Sequence, residues 1–198
     1  MSELWPYVTP GIPDQLFQQL PGIPLTKREV RLLVIGYLRL KPDAYLWDIG
    51  AGTGTIAIEA ALLCPKGTMT AVERDEEVAK LIKTNCDRFA ITNIEVISGN
   101  APECLHHIKD QPNCILIEGA PLRTTLETVW QKLAHNGRIV VTANNLEALY
   151  AASETFAKLQ VRNIEVAQPN VNRLETKGNR QVFAGLDPIF IISGDKLE

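Results

Sequence analysis

Cysteine pairs are missing from this chain. Cys64, Cys86, Cys104 and Cys114 stand far apart and no two form a C-x-x-C step. That absence weakens any zinc-site or thioredoxin-type reading. It leaves four reduced, mostly buried thiols of a cytosolic protein as the expectation. Positive charge is also short, with 20 Lys and Arg against 23 Asp and Glu and a formal net charge of −3. A general nucleic-acid binder is usually basic, so none is expected, although a local basic patch is not excluded. No charge-free apolar run approaches the ~20 residues that would cross a bilayer. The opening MSELWPYVTPGIPDQ has neither the basic stretch nor the apolar core of a signal peptide. The expectation is therefore a cytoplasmic protein with no membrane partner. Histidines are few, and His106, His107 and His135 have no partner at metal-ligand spacing, so no metal is expected. No nucleophile–base–acid triad is visible either, and no catalytic residue is assigned.

What is present is ordinary for a globular domain: 198 residues, 45% apolar and 22% charged, enough for one large core. Residues 1–24 are rich in Pro and Gly and read as an extended arm or lid. The division is an N-terminal arm, 1–25, and a single domain, 26–198. In TKREVRLLVIGYLRL, Val30, Leu33, Val34, Tyr37 and Leu38 share one helical face. Thr26 with Glu29 reads as a capping box, and Pro42 as the stop. Apolar runs at 44–49, 68–73, 94–98, 113–118 and 137–142 read as strands buried on both faces. Helical stretches near 54–63, 75–89, 101–108, 122–134 and 145–159 alternate with them. The pattern predicts an α/β fold, a doubly wound, mostly parallel seven-stranded sheet with helices on both sides. Residues 162–168 and 182–193 read as two more strands, an antiparallel hairpin at the sheet edge joined by a polar loop.

The first strand runs into LWDIGAGTGTIAIE. Gly50, Gly52 and Gly54 lie two apart, where a doubly wound sheet binds ligands at its carboxyl edge. Glycine permits a tight turn and the close approach of a ligand. The following helix offers free N–H groups. Asp48 is placed to accept bonds from those loop N–H groups. The dinucleotide rule G-x-G-x-x-G is broken, because Thr55 occupies the third glycine's place. Glu73, closing the second strand, is placed to accept both hydroxyls of a ribose and to repel a 2′-phosphate.

This loop followed by an acid at the end of strand two resembles the class I S-adenosylmethionine-dependent methyltransferases. The resemblance implies S-adenosylmethionine as cofactor, held by Gly50, Ala51, Gly52, Thr53 and Gly54, by Glu73 at the ribose, and by Asn100 and Ala101 at the adenine. Asn100 with Glu103 also reads as a helix cap. No Asn/Asp-Pro-Pro-Tyr segment follows strand four, which sets aside the adenine- and glutamine-methylating groups.

The segments GIPDQLF, PLTKREVRLLVIGYLRLKP, GNAPE and NGRIVVTANNLEAL narrow the likeness. Together with the glycine loop they resemble the precorrin and cobalt-precorrin C15-methyltransferases of corrin biosynthesis, from Gly11 to Gly194. That resemblance implies methylation of a tetrapyrrole at C15 with decarboxylation of the ring C acetate, and a homo-oligomer, a tetramer in relatives. It also implies contact of Thr26 with the cofactor. A polycarboxylate substrate needs cations. Arg173, Arg28 and Lys177 are the first candidates, with Lys27, Arg31 and Arg180 beside them. Relatives have a G-G-x-G-G segment after strand four, where this chain has Glu118-Gly119-Ala120-Pro121-Leu122-Arg123. An acid there would disfavour a polycarboxylate unless Arg123 pairs with it. Two other readings remain open: a methyltransferase of the same fold acting on RNA, protein or another small molecule, and an inactive cofactor-binding partner subunit.

Overall fold

The computed structural model describes residues 4–197. Residues 1–3 of the arm and residue 198 lie outside the described residues. The chain runs α1 (Arg28–Leu38), β1 (Tyr45–Ile49), α2 (Thr55–Leu63), β2 (Thr68–Glu73), α3 (Glu76–Arg88) and β3 (Ile94–Ser98). A 3-10 turn (Glu103–His107) leads to β4 (Cys114–Ile117), α4 (Leu122–Lys132), β5 (Arg138–Ala143) and α5 (Leu146–Lys158). The chain closes with β6 (Arg162–Ala167), β7 (Asn172–Lys177), β8 (Arg180–Gly185) and β9 (Phe190–Asp195). The main sheet has seven strands in the order β3-β2-β1-β4-β5-β9-β6. β1 to β5 pair in parallel, and β9 is antiparallel to both its neighbours.

Alternation along each strand builds two apolar layers, because successive side chains point to opposite faces. Trp47, Ile115, Ile117, Ile139 and Val141 enter one cluster. Leu46, Leu116, Val140 and Ile191 enter another on the opposite face. Both faces are covered by helices, so β4 is buried throughout and β1 and β2 nearly so. This is why those runs lack polar interruption.

Helix α2 is buried on nearly every side, from Thr55 to Ala61. Its outer side is covered by the arm. Ile12, Phe17 and Leu25 pack with Ala57, Ile58 and Ile82 of α2 and α3. Glu59 on α2 faces that arm, accepting N–H bonds from Gly11 at 2.6 Å and Ile12 at 3.1 Å. Arg31 on α1 closes the cluster, with Nε 2.8 Å from Glu59 and Nη1 2.7 Å from Asp14. The arm is thus clamped rather than loose, and Gly11-Ile12-Pro13-Asp14 is the part that is gripped.

Several local expectations give way to tertiary structure. Neither capping box forms: α1 starts at Arg28 after Lys27, with no side-chain cap. The 3-10 turn after β3 starts without help from the Asn100 side chain. α1 ends at Leu38, ahead of Pro42, and Leu33 of its expected buried face is 38% exposed while Arg31 and Ile35 are buried. The terminal strands differ most. Residues 162–167 do pair antiparallel with the last strand, but that strand is 190–195 and slots between β5 and β6. Arg138 holds it there, reaching Asp195 at 2.6 Å and Ser193 at 2.9 Å. The intervening polar stretch is not a loop. It forms a separate two-stranded hairpin, β7–β8.

Candidate functional site

Strand order reverses between β1 and β4, so the loops after them diverge and leave a crevice at their carboxyl ends. A cleft of about 640 Å³ lies there, lined among others by Gly50, Gly52, Glu73, Asn100, Ala101 and Glu118. Its volume lies within the roughly 300–1,000 Å³ common for small-molecule sites. Ile23 and Pro24, at the end of the arm, form part of its wall.

The glycine loop is held by β2 and not by Asp48. The Gly50 and Ala51 N–H groups both donate to the Val72 carbonyl, at 2.9 and 3.0 Å. The Gly52 N–H donates to Glu73 Oε2 at 3.0 Å. The three glycines have different reasons. A Cβ on Gly50 would lie 1.8 Å from the Glu118 carbonyl oxygen, and one on Gly54 2.7 Å from Ile82. Those two are bare because protein packs against them. Of the three, Gly52 faces open space: among the described residues only the Pro24 carbonyl oxygen, 4.0 Å away, is within reach of a Cβ. All three have positive φ.

The expected cofactor residues are therefore divided. Gly50, Gly52, Glu73, Asn100 and Ala101 converge on the cleft. Ala51, Thr53 and Gly54 are buried and are not among its lining residues. Thr26 meets it indirectly, donating to Glu118 Oε2 at 3.5 Å. Glu73 holds its place by accepting a second N–H, from Asp75, at 3.0 Å.

The expected substrate cations stand apart from the cleft lining. Arg173 on β7 binds Glu29 through Nε at 3.0 Å and Asp14 through Nη1 at 2.8 Å. It therefore ties the hairpin to the clamped arm. Asp14 is desolvated by burial, which opposes ionisation, but bonds from Arg31 and Arg173 outweigh this and hold its carboxyl below the usual range. Arg28 is exposed and lies 3.6 Å from Glu29, and Lys177 is exposed at the hairpin end, 3.8 Å from Glu175. Arg31 is buried in the arm clamp. Arg123 pairs with Glu154 and lies over the Tyr150 ring, so it does not neutralise Glu118.

Glu118 is a cleft residue that sequence reasoning noted only as a departure from a glycine segment. Thr142 on β5 donates to its Oε1 at 3.0 Å. Burial pushes its carboxyl up to about 7, against the bonds from Thr142 and Thr26. Asp48 is fully buried, and no side chain pairs with its oxygens; only the Ala57 backbone N–H bears on them. Burial first, and then the charge of Glu118, raise its carboxyl well above the usual range. Cys64, Cys86 and Cys114 are buried and unpaired. Burial raises their thiols to about 11, 11 and 12, which makes them poor nucleophiles.

Comparison with known proteins agrees with this geometry. Residues 17–196 match the model of the precorrin methyltransferase domain. A Pyrobaculum calidifontis protein is 36% identical over 192 residues, 96% of this chain and 97% of its own length. It is named a probable cobalt-precorrin-6B C(15)-methyltransferase (decarboxylating). A Salmonella typhimurium protein, named cobalt-precorrin-6B C(15)-methyltransferase (decarboxylating), is 32% identical across 93% of this chain and 96% of its own. The crystal structure of a precorrin-6y C5,15-methyltransferase from Geobacter metallireducens superposes with a TM-score of 0.86 at 32% identity, covering 96% of this chain and all of the other. The cleft at the β1/β4 switch point and these full-length likenesses lead to one conclusion: the chain belongs to the precorrin methyltransferase domain family.

Proposed function

We propose that this protein is an S-adenosylmethionine-dependent methyltransferase that methylates C15 of a precorrin or cobalt-precorrin and decarboxylates the ring C acetate. The observation that carries the reading is the near full-length identity to relatives named for that reaction. The cleft supports the cofactor. Glu73 stands where a carboxylate accepts ribose hydroxyls. Gly52 leaves open space beside it, and Asn100 and Ala101 lie across the same cleft. When bound, the cofactor supplies a methyl group on a positively charged sulfur. The chain's own residues align the partners and exclude water, which is the main demand of an in-line transfer. Ile23 and Pro24 from the arm and Pro121 after β4 form walls for that purpose.

The tetrapyrrole itself makes C15 electron-rich and takes up the electron pair left by carbon dioxide, so no strong protein base is required. For its carboxylates, Arg28 and Lys177 are exposed. Arg173 would first have to exchange Asp14 or Glu29 for a substrate carboxylate. A cytoplasmic homo-oligomer belongs to the same proposal. It is supported by the exposed apolar side chains Leu146, Tyr150, Ile164 and Val166 on α5 and β6. Among the described residues no helix is long and apolar enough to cross a membrane.

The test is mass spectrometry of a precorrin-6B or cobalt-precorrin-6B incubated with the protein and S-adenosylmethionine. The expected product has gained one methyl and lost one carbon dioxide. Unchanged substrate, with calorimetry showing tight cofactor binding, would overturn the tetrapyrrole assignment and leave a methyltransferase of other substrate.

A further inference from the structure

Three carboxyl groups stand at the carboxyl ends of adjacent strands: Asp48 on β1, Glu73 on β2 and Glu118 just after β4. Glu73 is satisfied by two backbone N–H groups. Glu118 meets only hydroxyls, those of Thr142 from β5 and Thr26 just ahead of α1. Asp48 has no side-chain donor, and only the Ala57 backbone N–H bears on it. The other charged groups lining the cleft are Arg74, Asp75 and Glu103. Arg74 and Glu103 are exposed, as is Asp75, which caps α3. Among the described residues the inner wall thus holds acids and no cation, a surplus that a positively charged ligand would relieve.

Position along the cleft says which part of the ligand that is. A nucleoside with its ribose at Glu73 and its base at Asn100 and Ala101 directs its 5′ substituent away from β3. That direction leads to Gly50 and Glu118, whose backbones touch. In the cofactor proposed above, the 5′ substituent begins with the sulfonium.

We propose that Glu118 recognises the charge of this sulfonium and distinguishes the methyl donor from its demethylated product, giving up a proton when the donor binds and regaining one after transfer. The inference rests on the cofactor reading above, not on the tetrapyrrole. Glu118 is poised for this exchange, since it lines the cleft and burial holds its carboxyl at about 7; Asp48, behind it and fully buried, is also raised well above the usual carboxylate range. A cation close by favours the carboxylate form, so the proton leaves to solvent. On transfer, the carbon–sulfur bond breaks, the methyl goes to the accepting carbon, and sulfur keeps the electron pair as a neutral thioether. The half-buried carboxylate has then lost its partner and takes a proton back from solvent. The product is held less tightly than the donor, and more so at higher pH.

The experiment is titration calorimetry of the whole protein with S-adenosylmethionine and with S-adenosylhomocysteine, in buffers of differing ionisation enthalpy. For the wild type, donor binding is expected to release protons near neutral pH. The donor-to-product affinity ratio is expected to rise several-fold between about pH 6 and about pH 8. Glu118→Gln should flatten the ratio and abolish the proton release. Thr142→Val, which removes a hydroxyl that favours the charged form, should move the wild-type curve to higher pH. A pH-independent ratio in the wild type, or a wild-type curve in Glu118→Gln, would overturn the proposal. If neither compound binds, the cofactor reading itself falls, an outcome distinct from binding without linkage.

Discussion

Arg31 on α1 and Glu59 on α2 form a buried ion pair, Nε to Oε1 at 2.8 Å, with side chains 0% and 1% exposed. The pair does more than join two helices. Glu59 also accepts the Gly11 and Ile12 N–H groups, and Arg31 also donates to the Ile12 carbonyl and to Asp14. The arm is fastened to the domain through charge-assisted bonds at both of its hydrogen-bonding edges.

Removing one partner strands the other's charge in a dry site. Arg31→Met is therefore expected to cost about 3–5 kcal/mol. The check is urea unfolding, combined with limited proteolysis between residues 4 and 25. An unchanged unfolding midpoint with an intact arm would show that the clamp carries no stability.

The glycines of the loop should separate folding from binding. Gly50→Ala forces a Cβ into the Glu118 carbonyl at positive φ, and is expected to cost about 3 kcal/mol or more. Gly52→Ala meets no atom closer than 4.0 Å, so its cost is the backbone strain alone, about 1–2 kcal/mol. Its larger effect falls on the ligand. Thermal melts with and without S-adenosylmethionine should show Gly52→Ala folded but with a reduced ligand-induced shift. A full shift in that variant would move the ligand away from Gly52.

Glu118 should make stability fall as pH rises. Its folded carboxyl, at about 7, lies above the unfolded value of roughly 4.3. The native state therefore binds more protons between the two, and the stabilisation present below the unfolded value is lost as pH passes through 7. Without ligand, Glu118→Gln is expected to remove this slope and to be more stable than wild type at about pH 8 by on the order of 2–3 kcal/mol. Urea midpoints at acid and alkaline pH measure it. Parallel pH curves for the two proteins would refute the assignment.

The Asp14–Arg173–Glu29 cluster has the opposite sign. Both carboxyls are lowered, each against the cost of burial, by bonds in which Arg173 takes part. Their contribution is present above the unfolded values, near pH 4, and is lost as pH falls through the lower folded ones. Arg173→Ala should cost about 1 kcal/mol or less at neutral pH, because the arginine side chain is 32% exposed and solvent screens its charge. Protection from hydrogen exchange in residues 172–185, taken relative to the intrinsic rate at each pH, should fall on acidification in the wild type, and exchange relative to that rate should rise. In Arg173→Ala it should be raised already at neutral pH. Equal protection in both would mean that the hairpin is held by other contacts.

The chain's own pattern determined the five parallel strands, their helices and the ligand edge. β1, β2, β4 and β5 are buried on both faces, and largely apolar runs such as YLWDI and CILI are the direct consequence, whereas β3, at the sheet edge, is only partly buried. The loop beginning at Gly50 and the acid at Glu73 were legible for the same local reason, a tight turn and a strand end within one βαβ unit. The β7–β8 hairpin was not, because its strands are mostly exposed and polar, and only their pairing makes them strands. Tertiary structure alone decided the duties of the charged residues. Arg173 meets Asp14 from 159 positions away, and Thr26 reaches Glu118 across 92 instead of capping the helix beside it. It also decided why Gly50 and Gly54 are glycine, since the atoms that exclude a side chain come from Glu118 and Ile82. Periodicity reports which side of an element is dry; which charges share that dry space depends on how separate elements meet.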